Sequence, residues 1–352
     1  MKYREKIKGM VLPAVSLMLA VLASGAVMAL CGYNPFEAFG AILTGAFKSK
    51  SGLAQTFTQA TPLIFTGLAF TLAKKTTLIN LGVEGQLLFG AMAAAVVGTI
   101  DLGLPGVIHL PLVLLCGMLA GGIFAALVGL LKVKFGSNEV IATIMLNEIA
   151  ALLCSYLVNG PLKAEGAVSQ TEKILKTAYI PKLVPKYQLT FAVFLAIAAC
   201  ILVKFFMERT VKGYEIRCVG MNGKAAETAG IPVGKMMVTA MLISGAIAGL
   251  AGGCHVAGVD HRFIENFSPG YGFDGIAVAA LAGENPVGVI FAGIIFGALR
   301  SGAMVLNRTT SIPIDFINVI QALVVILVAA PLLVKEIISA GKRNKKKGEE
   351  KS

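Results

Sequence analysis

Between residues 11 and 334 the chain is a succession of apolar stretches about twenty residues long, each ended by a short polar or basic punctuation. A helix needs ~20 apolar residues to cross the hydrocarbon of a bilayer, where every backbone N–H and C=O must be bonded within the chain. That spacing leaves little room for any fold other than an all-α polytopic bundle. The expected segments are 11–31, 53–73, 79–100, 107–131, 139–159, 189–207, 236–258, 273–283, 287–306 and 313–334, about ten in all. Composition agrees: 56% of the 352 residues are hydrophobic, 14% are charged and none is Trp. An ordinary soluble domain carries roughly 25% charged residues, so soluble domains, disorder and a nucleic-acid partner are excluded. The net charge of +12 does not reverse this, because the basic residues punctuate the apolar runs and form no single stripe.

The segment 273–283 is too short to span as an ordinary helix. Gly275 near its start and Gly283, Asn285 and Pro286 at its end predict a half-helix or re-entrant piece. Most Lys and Arg residues fall in loops that share one side if both termini are cytoplasmic, which is the expected orientation. Residues 1–10 are then a cytoplasmic N-terminus, 11–334 a single transmembrane domain, 160–188 an extracytoplasmic loop and 208–235 a cytoplasmic loop. The basic tail 335–352 is read as an anchor for the last helix, with recognition of membrane lipid as the alternative. Lys2, Arg4, Lys6 and Lys8 before an apolar run resemble a signal peptide, but the run is too long and Leu30 before Cys31 is too bulky for lipoprotein cleavage. An uncleaved signal anchor is expected. The six cysteines form no C-x-x-C pair, so neither a metal site nor a disulfide framework is indicated.

Gly82-Val83-Glu84-Gly85 opens the third segment and Gly272-Phe273-Asp274-Gly275 the eighth. An offset of five segments inverts one half relative to the other, so this match reads either as a 5+5 inverted repeat or as a coincidence in a glycine-rich chain. Polar residues in hydrocarbon are costly and usually face a cavity or a partner. Those present are Asn80, Glu84 and Gln86; Asn147 and Glu148; Asp274; and Arg300, Asp315, Asn318 and Gln321. Asn80, Glu84, Gln86, Asn147, Glu148, Asp274, Asn318 and Gln321 are the candidates for a translocation path. Each also has a packing reading: Glu84 as a helix cap, Asn147 as interhelical glue, Arg300 as a counter-charge.

In the 208–235 loop, Asn222 is a good N-cap, Lys224–Ala229 favours a short helix, Gly230 suits the left-handed C′ position and Pro232 stops continuation. Such a capped helix, with Ala225 and Ala226 on it and Arg217 before it, reads as a docking element. Gly220-Met-Asn-Gly-Lys224 has the wrong glycine spacing for a P-loop and runs into Ala225, so no nucleotide site of the chain's own is visible. It has no metal cluster and no catalytic constellation; it is expected not to be an enzyme.

Four stretches together resemble the permease subunits of bacterial ABC importers for ribose, other simple sugars and nucleosides, most of all the nucleoside-type branch. They are Ile79–Gln86, Gly136–Asn147, the Gly213–Pro232 loop and Gly270–Leu281. Glu148 departs from the residue often found after Met-Leu-Asn in that family. The resemblance implies a ten-helix importer fold in the bacterial plasma membrane. It implies a second, distinct permease, a cytoplasmic ATPase with two nucleotide-binding cassettes, and an extracytoplasmic solute-binding lipoprotein. ATP and Mg would be used by the ATPase and no cofactor held by this chain. Coupling would run through Arg217, Asn222, Lys224, Ala225, Ala226 and Gly230. An ion-gradient-driven transporter of a small polar solute is the rival reading, and a scaffold without a path the third.

Overall fold

The computed structural model describes residues 18–309 and the isolated positions 319, 322, 323 and 326. Among the described residues the chain is helical, with no strand and two isolated bridges, Gln170–Ile264 and Lys182–Thr190. The helices are α1 (Met18–Leu30), α2 (Pro35–Phe47), α3 (Lys50–Lys74), α4 (Val83–Thr99), α5 (Gly106–Phe135), α6 (Glu139–Asn159), α7 (Ala192–Arg209), α8 (Val211–Met221), α9 (Gly223–Thr228), α10 (Val233–His255), α11 (Tyr271–Leu281) and α12 (Pro286–Thr309). A π-helical stretch carries α10 on to Asp260. Among the described residues four helices are long and apolar enough to cross a membrane: α5, α6, α10 with its extension, and α12. Shorter apolar helices are α1, α4 and α11. Apart from those four isolated positions the expected segment 313–334 lies outside the described residues, as do the terminus 1–10, the tail 335–352, Asp315, Asn318 and Gln321.

Two helices form the centre. α3 is buried without a break from Thr58 to Ala73, as a helix surrounded by others must be; it packs on α10, α11, α12 and α7. α10 packs on α5, α4 and α3. Its seam with α5 is made of small residues that bring the backbones together. A Cβ on Gly121 would lie 2.7 Å from the Gly249 Cα, and one on Gly90 of α4 would lie 2.7 Å from the Gly249 carbonyl carbon. α12 approaches α3 in the same way, with Gly297 2.6 Å from the Thr56 carbonyl oxygen on the same measure.

Apolar length did not reveal α2, which is 13 residues long. Local chemistry makes it: the Asn34 side chain accepts from the Phe36 N–H, Pro35 stands at the first position and Glu37 in the first turn. The expected third segment starts late: residues 76–82 are not α-helical and α4 begins only at Val83. The expected short segment is an 11-residue helix, α11. The loop read as 160–188 is pinned down. Its Thr171, Ile174 and Ile180 amides donate to the carbonyls of Phe263, His261 and Ala257, each at 2.9 Å. It straps the α10–α11 connection and buries Ile174, Ala178 and Ile180.

Candidate functional site

The N-termini of α4 and α11 meet inside the bundle. Residues 76–82 and 261–270 are irregular chain leading to them, whose backbone groups need covering by partners that no helix supplies. Covering is what the polar side chains here do. Asn80 is fully buried; its Oδ1 accepts from the Gly82 amide (3.0 Å) and the Gln86 Nε2 (2.9 Å). Its Nδ2 donates to the Gln86 Oε1 (3.0 Å) and to Ser244 Oγ (2.9 Å), and Ser244 in turn donates to the Ala69 carbonyl (2.7 Å). The pair Asn80 and Gln86 therefore closes on itself and ties the loop to α10 and α3. Asn147 of α6 clamps the same turn: its Oδ1 accepts from the Gly85 amide and its Nδ2 donates to the Leu81 carbonyl, both at 2.8 Å.

Glu84 caps a helix, but not its own. Its Oε2 accepts from the Gly272 amide in the first turn of α11 at 2.5 Å, where a carboxylate is favoured by the helix dipole. The two acid-between-glycine motifs are thus in contact, and a Cβ on Gly272 would collide with the Glu84 backbone. Asp274, two residues along, is held by Arg300 of α12, whose Nη2 and Nε lie 2.7 and 3.0 Å from its Oδ2. The same guanidinium donates to the Pro269 carbonyl (3.1 Å) and sits 4.8 Å from the centre of the Tyr271 ring. Tyr271 itself donates from its hydroxyl to Gln59 of α3 (2.7 Å), and Thr66 donates to its carbonyl (2.9 Å). α11 is therefore fixed at its start by three helices.

Glu84 also lines a cavity of about 190 Å³ with Leu88, Cys154, Ser155, Glu265 and Ser268. Glu265 closes its far end, accepting from Ser155 and, at 3.1 Å, from Asn159. Those hydrogen bonds, Ser155 first, hold its carboxyl below the ordinary carboxylate range. Sequence reasoning missed Ser155, Glu265 and Ser268; their only signal was polarity at helix ends and in a loop. Glu148 is placed elsewhere. It is exposed on the open face of α6 among Ile141, Met145, Leu152 and Tyr156, away from the Asn147 clamp. Asn80, Gln86 and Asn147 are brought together with Glu84; Asp274 joins them through α11; Glu148 stands apart. Among the described residues no cluster suited to a metal ion occurs.

The predicted capped helix forms as α9. Asn222 caps it by accepting from the Ala225 amide (3.1 Å). Gly230, at φ +79°, closes it: its amide donates to the Glu227 carbonyl and the Ile231 amide to the Ala226 carbonyl, the paired bonds of a Schellman end. Lys224, Ala225 and Gly230 are exposed, whereas Ala226 is buried at 4%; Ala226 seats α9 and the other three face outward. The α8 that precedes it was not foreseen. Thr210 caps it by accepting from the Gly213 amide (3.0 Å), and it carries Arg217, exposed.

A model of the family described as "Branched-chain amino acid transport system / permease component" matches residues 52–329. The guanosine ABC transporter permease protein NupP of Bacillus subtilis is 34% identical over 97% of this chain and 99% of its own length. The nucleoside ABC transporter permease protein NupB of Lactococcus lactis is 29% identical over 98% and 99%. The glucose ABC transporter permease protein TsgB13 of Haloferax volcanii is 33% identical over 89% and 85%. The first two organisms each hold a second, more distant relative named for the same transport, NupQ and NupC, both 27% identical to this chain.

Proposed function

Because the chain belongs to the branched-chain amino acid transport system / permease component family, and is an ABC transporter permease rather than an enzyme, we propose that its cargo is a nucleoside. The names of the two relatives that it matches over nearly full length support this choice over a sugar. Paired permeases among the relatives support a distinct second permease beside this chain. A cytoplasmic two-cassette ATPase, using ATP and Mg, and an extracytoplasmic solute-binding lipoprotein complete the assembly in this reading.

The observation that carries the site is the meeting of α4 and α11 at Glu84 and Gly272, beside a cavity that Glu84 lines. Half-helices whose N-termini meet at membrane depth are where transporters bind polar cargo. In the proposed path, cargo moves along the open face of α6 past Glu148, between this chain and the second permease, with Glu84, Ser155 and Glu265 on its wall. Asn80, Gln86 and Asn147 keep that wall in shape. Both termini are cytoplasmic in this reading, which puts α9 on the cytoplasmic side. Lys224, Ala225 and Gly230 then meet the ATPase, and cassette closure moves the α8–α9 arm so that access alternates.

Ten spans in two inverted halves are also part of the proposal. Beyond the motif pair, packing supports it. α3 packs on α11 and α12 as α10 packs on α4 and α5, and α3 and α10 pack on each other; a two-fold exchange of the halves predicts this pattern. The test is uptake of labelled guanosine, uridine and ribose by cells with and without the chain. Loss of ATP-dependent guanosine and uridine uptake, with ribose uptake intact, is expected. Loss of ribose uptake alone, or nucleoside uptake that persists on an ion gradient without ATP, overturns the reading.

A further inference from the structure

At the α9 end of the bundle a second cavity, of about 290 Å³, opens between α3, α7, α8 and the turn before α12. Its charged lining is Lys75, Lys204, Arg217, Glu208 and Glu284. Glu284 is engaged by Lys74 at 3.0 Å, and Glu208 balances one of the remaining charges. Among the described residues Lys75, Lys204 and Arg217 make no ion pair. They are nonetheless held close. Gly220 of α8 abuts the Lys75 carbonyl so tightly that a Cβ would clash, and Arg217 lies one turn earlier on the same face of α8.

Thr71, fully buried on α3, lines the same cavity, and its hydroxyl has no hydrogen-bond partner. A threonine inside a helix ordinarily donates back to the carbonyl four residues earlier. Thr58, Thr61 and Thr66 on this same helix all do so; Thr71 does not. Three cations with too little acid and one spare buried donor are the complement of an anion that accepts hydrogen bonds.

We propose that this cavity binds a phosphate ester, gripped by Lys75, Lys204 and the planar fork of Arg217, with the Thr71 hydroxyl donating from below. The exposed apolar Leu202 and Phe205 next to Lys204 suit a phospholipid whose headgroup enters the cavity while its tails lie on α7; a free phosphate compound is the other source of the same chemistry. Bound phosphate would join α8, which leads through Asn222 into α9, to α3 and α7. This inference stands independently of the nucleoside reading.

The test uses purified full-length protein in detergent. Native mass spectrometry follows retention of dioleoylphosphatidylglycerol against dioleoylphosphatidylcholine, and thermal unfolding follows inorganic phosphate. Wild type is expected to retain phosphatidylglycerol preferentially, K75Q/K204Q to lose roughly 30-fold of that preference, T71V to lose a few-fold, and K75R/K204R to keep it. Stabilisation by inorganic phosphate that vanishes in K75Q/K204Q, without lipid preference, supports the site with a soluble source. Lys204 is exposed, so K204Q alone serves should the double variant not fold. The proposal is overturned if wild type responds to neither probe. It is equally overturned if K204Q and T71V match wild type and the remote control K173Q/K186Q.

Discussion

Asn147 and Glu148 are neighbours in sequence with opposite surroundings, and replacing each in turn separates scaffold from path. Asn147→Leu removes both bonds that Asn147 makes to the start of α4 and the loop before it, leaving the Gly85 amide and the Leu81 carbonyl unpaired. Each buried group left unpaired costs about 1–3 kcal/mol. Burial of the new side chain returns about 1–2 kcal/mol, so a net loss of about 1–4 kcal/mol is expected. At about 2–4 °C per kcal/mol the unfolding midpoint should fall by roughly 2–16 °C. A thiol-reactive dye reads this directly, because Cys154, Cys200 and Cys254 are at most 3% exposed until the bundle opens. Glu148→Gln touches nothing buried and should shift the midpoint by about 1 °C or less. Its nucleoside uptake should nevertheless fall about tenfold, the worth of one charged hydrogen bond to cargo. An Asn147→Leu protein that melts with wild type, or a Glu148→Gln protein that transports normally, would refute the division of roles.

Gly249→Val should abolish accumulation of folded protein, since its Cβ would strike the α5 backbone at Gly117 and Gly121. Gly253→Ala, whose Cβ has nothing nearer than 3.5 Å, should cost less than about 0.5 kcal/mol in the same expression and melting assay. Gly230→Ala should leave the bundle's unfolding midpoint unchanged. It strains the left-handed end of α9 by about 1–2 kcal/mol and should reduce ATP-driven uptake with cargo binding retained. His261, in the strap region, has its imidazole pushed below its ordinary range, by burial first and by Lys182 second. A depressed histidine contributes stability above its unfolded value and loses it as pH falls through the imidazole range. Unfolding midpoints measured between pH 7.5 and 5 should therefore decline in wild type and decline less in His261→Asn, a residue that tolerates the φ of +55° found there.

The elements were legible wherever a local signal sufficed. Twenty apolar residues announce α5, α6, α10 and α12, and Asn222 with Gly230 brackets α9. The short length of α11 followed from Gly275, Gly283 and Pro286. α2 and α8 escaped because they are too short for an apolar-length criterion, although Asn34-Pro35 and Thr210 are good caps. The roles of the polar residues were less legible, because their partners lie far off in the chain. Glu84 reads as a cap for α4, yet its acceptor oxygen serves Gly272, 188 positions later. Asn80 looks like a cargo ligand until its four hydrogen bonds, two of them to Gln86, are seen to use its whole capacity. Periodicity places a side chain on a face; it does not say what stands opposite.

The glycine seam between α5 and α10, with Gly90 of α4 wedged into it, carries a consequence for motion. Backbones in direct contact have no side-chain rotamers to exchange, and sliding one helix past the other by a turn would bring Val113 or Ala125 of α5, or Met241 of α10, to the place of a glycine in the seam. α4, α5 and α10 must therefore travel as one rigid block. Any rearrangement that switches access has to take place at its margins, such as α6, which the two Asn147 bonds join to the start of α4 and which can part from it as they break one at a time.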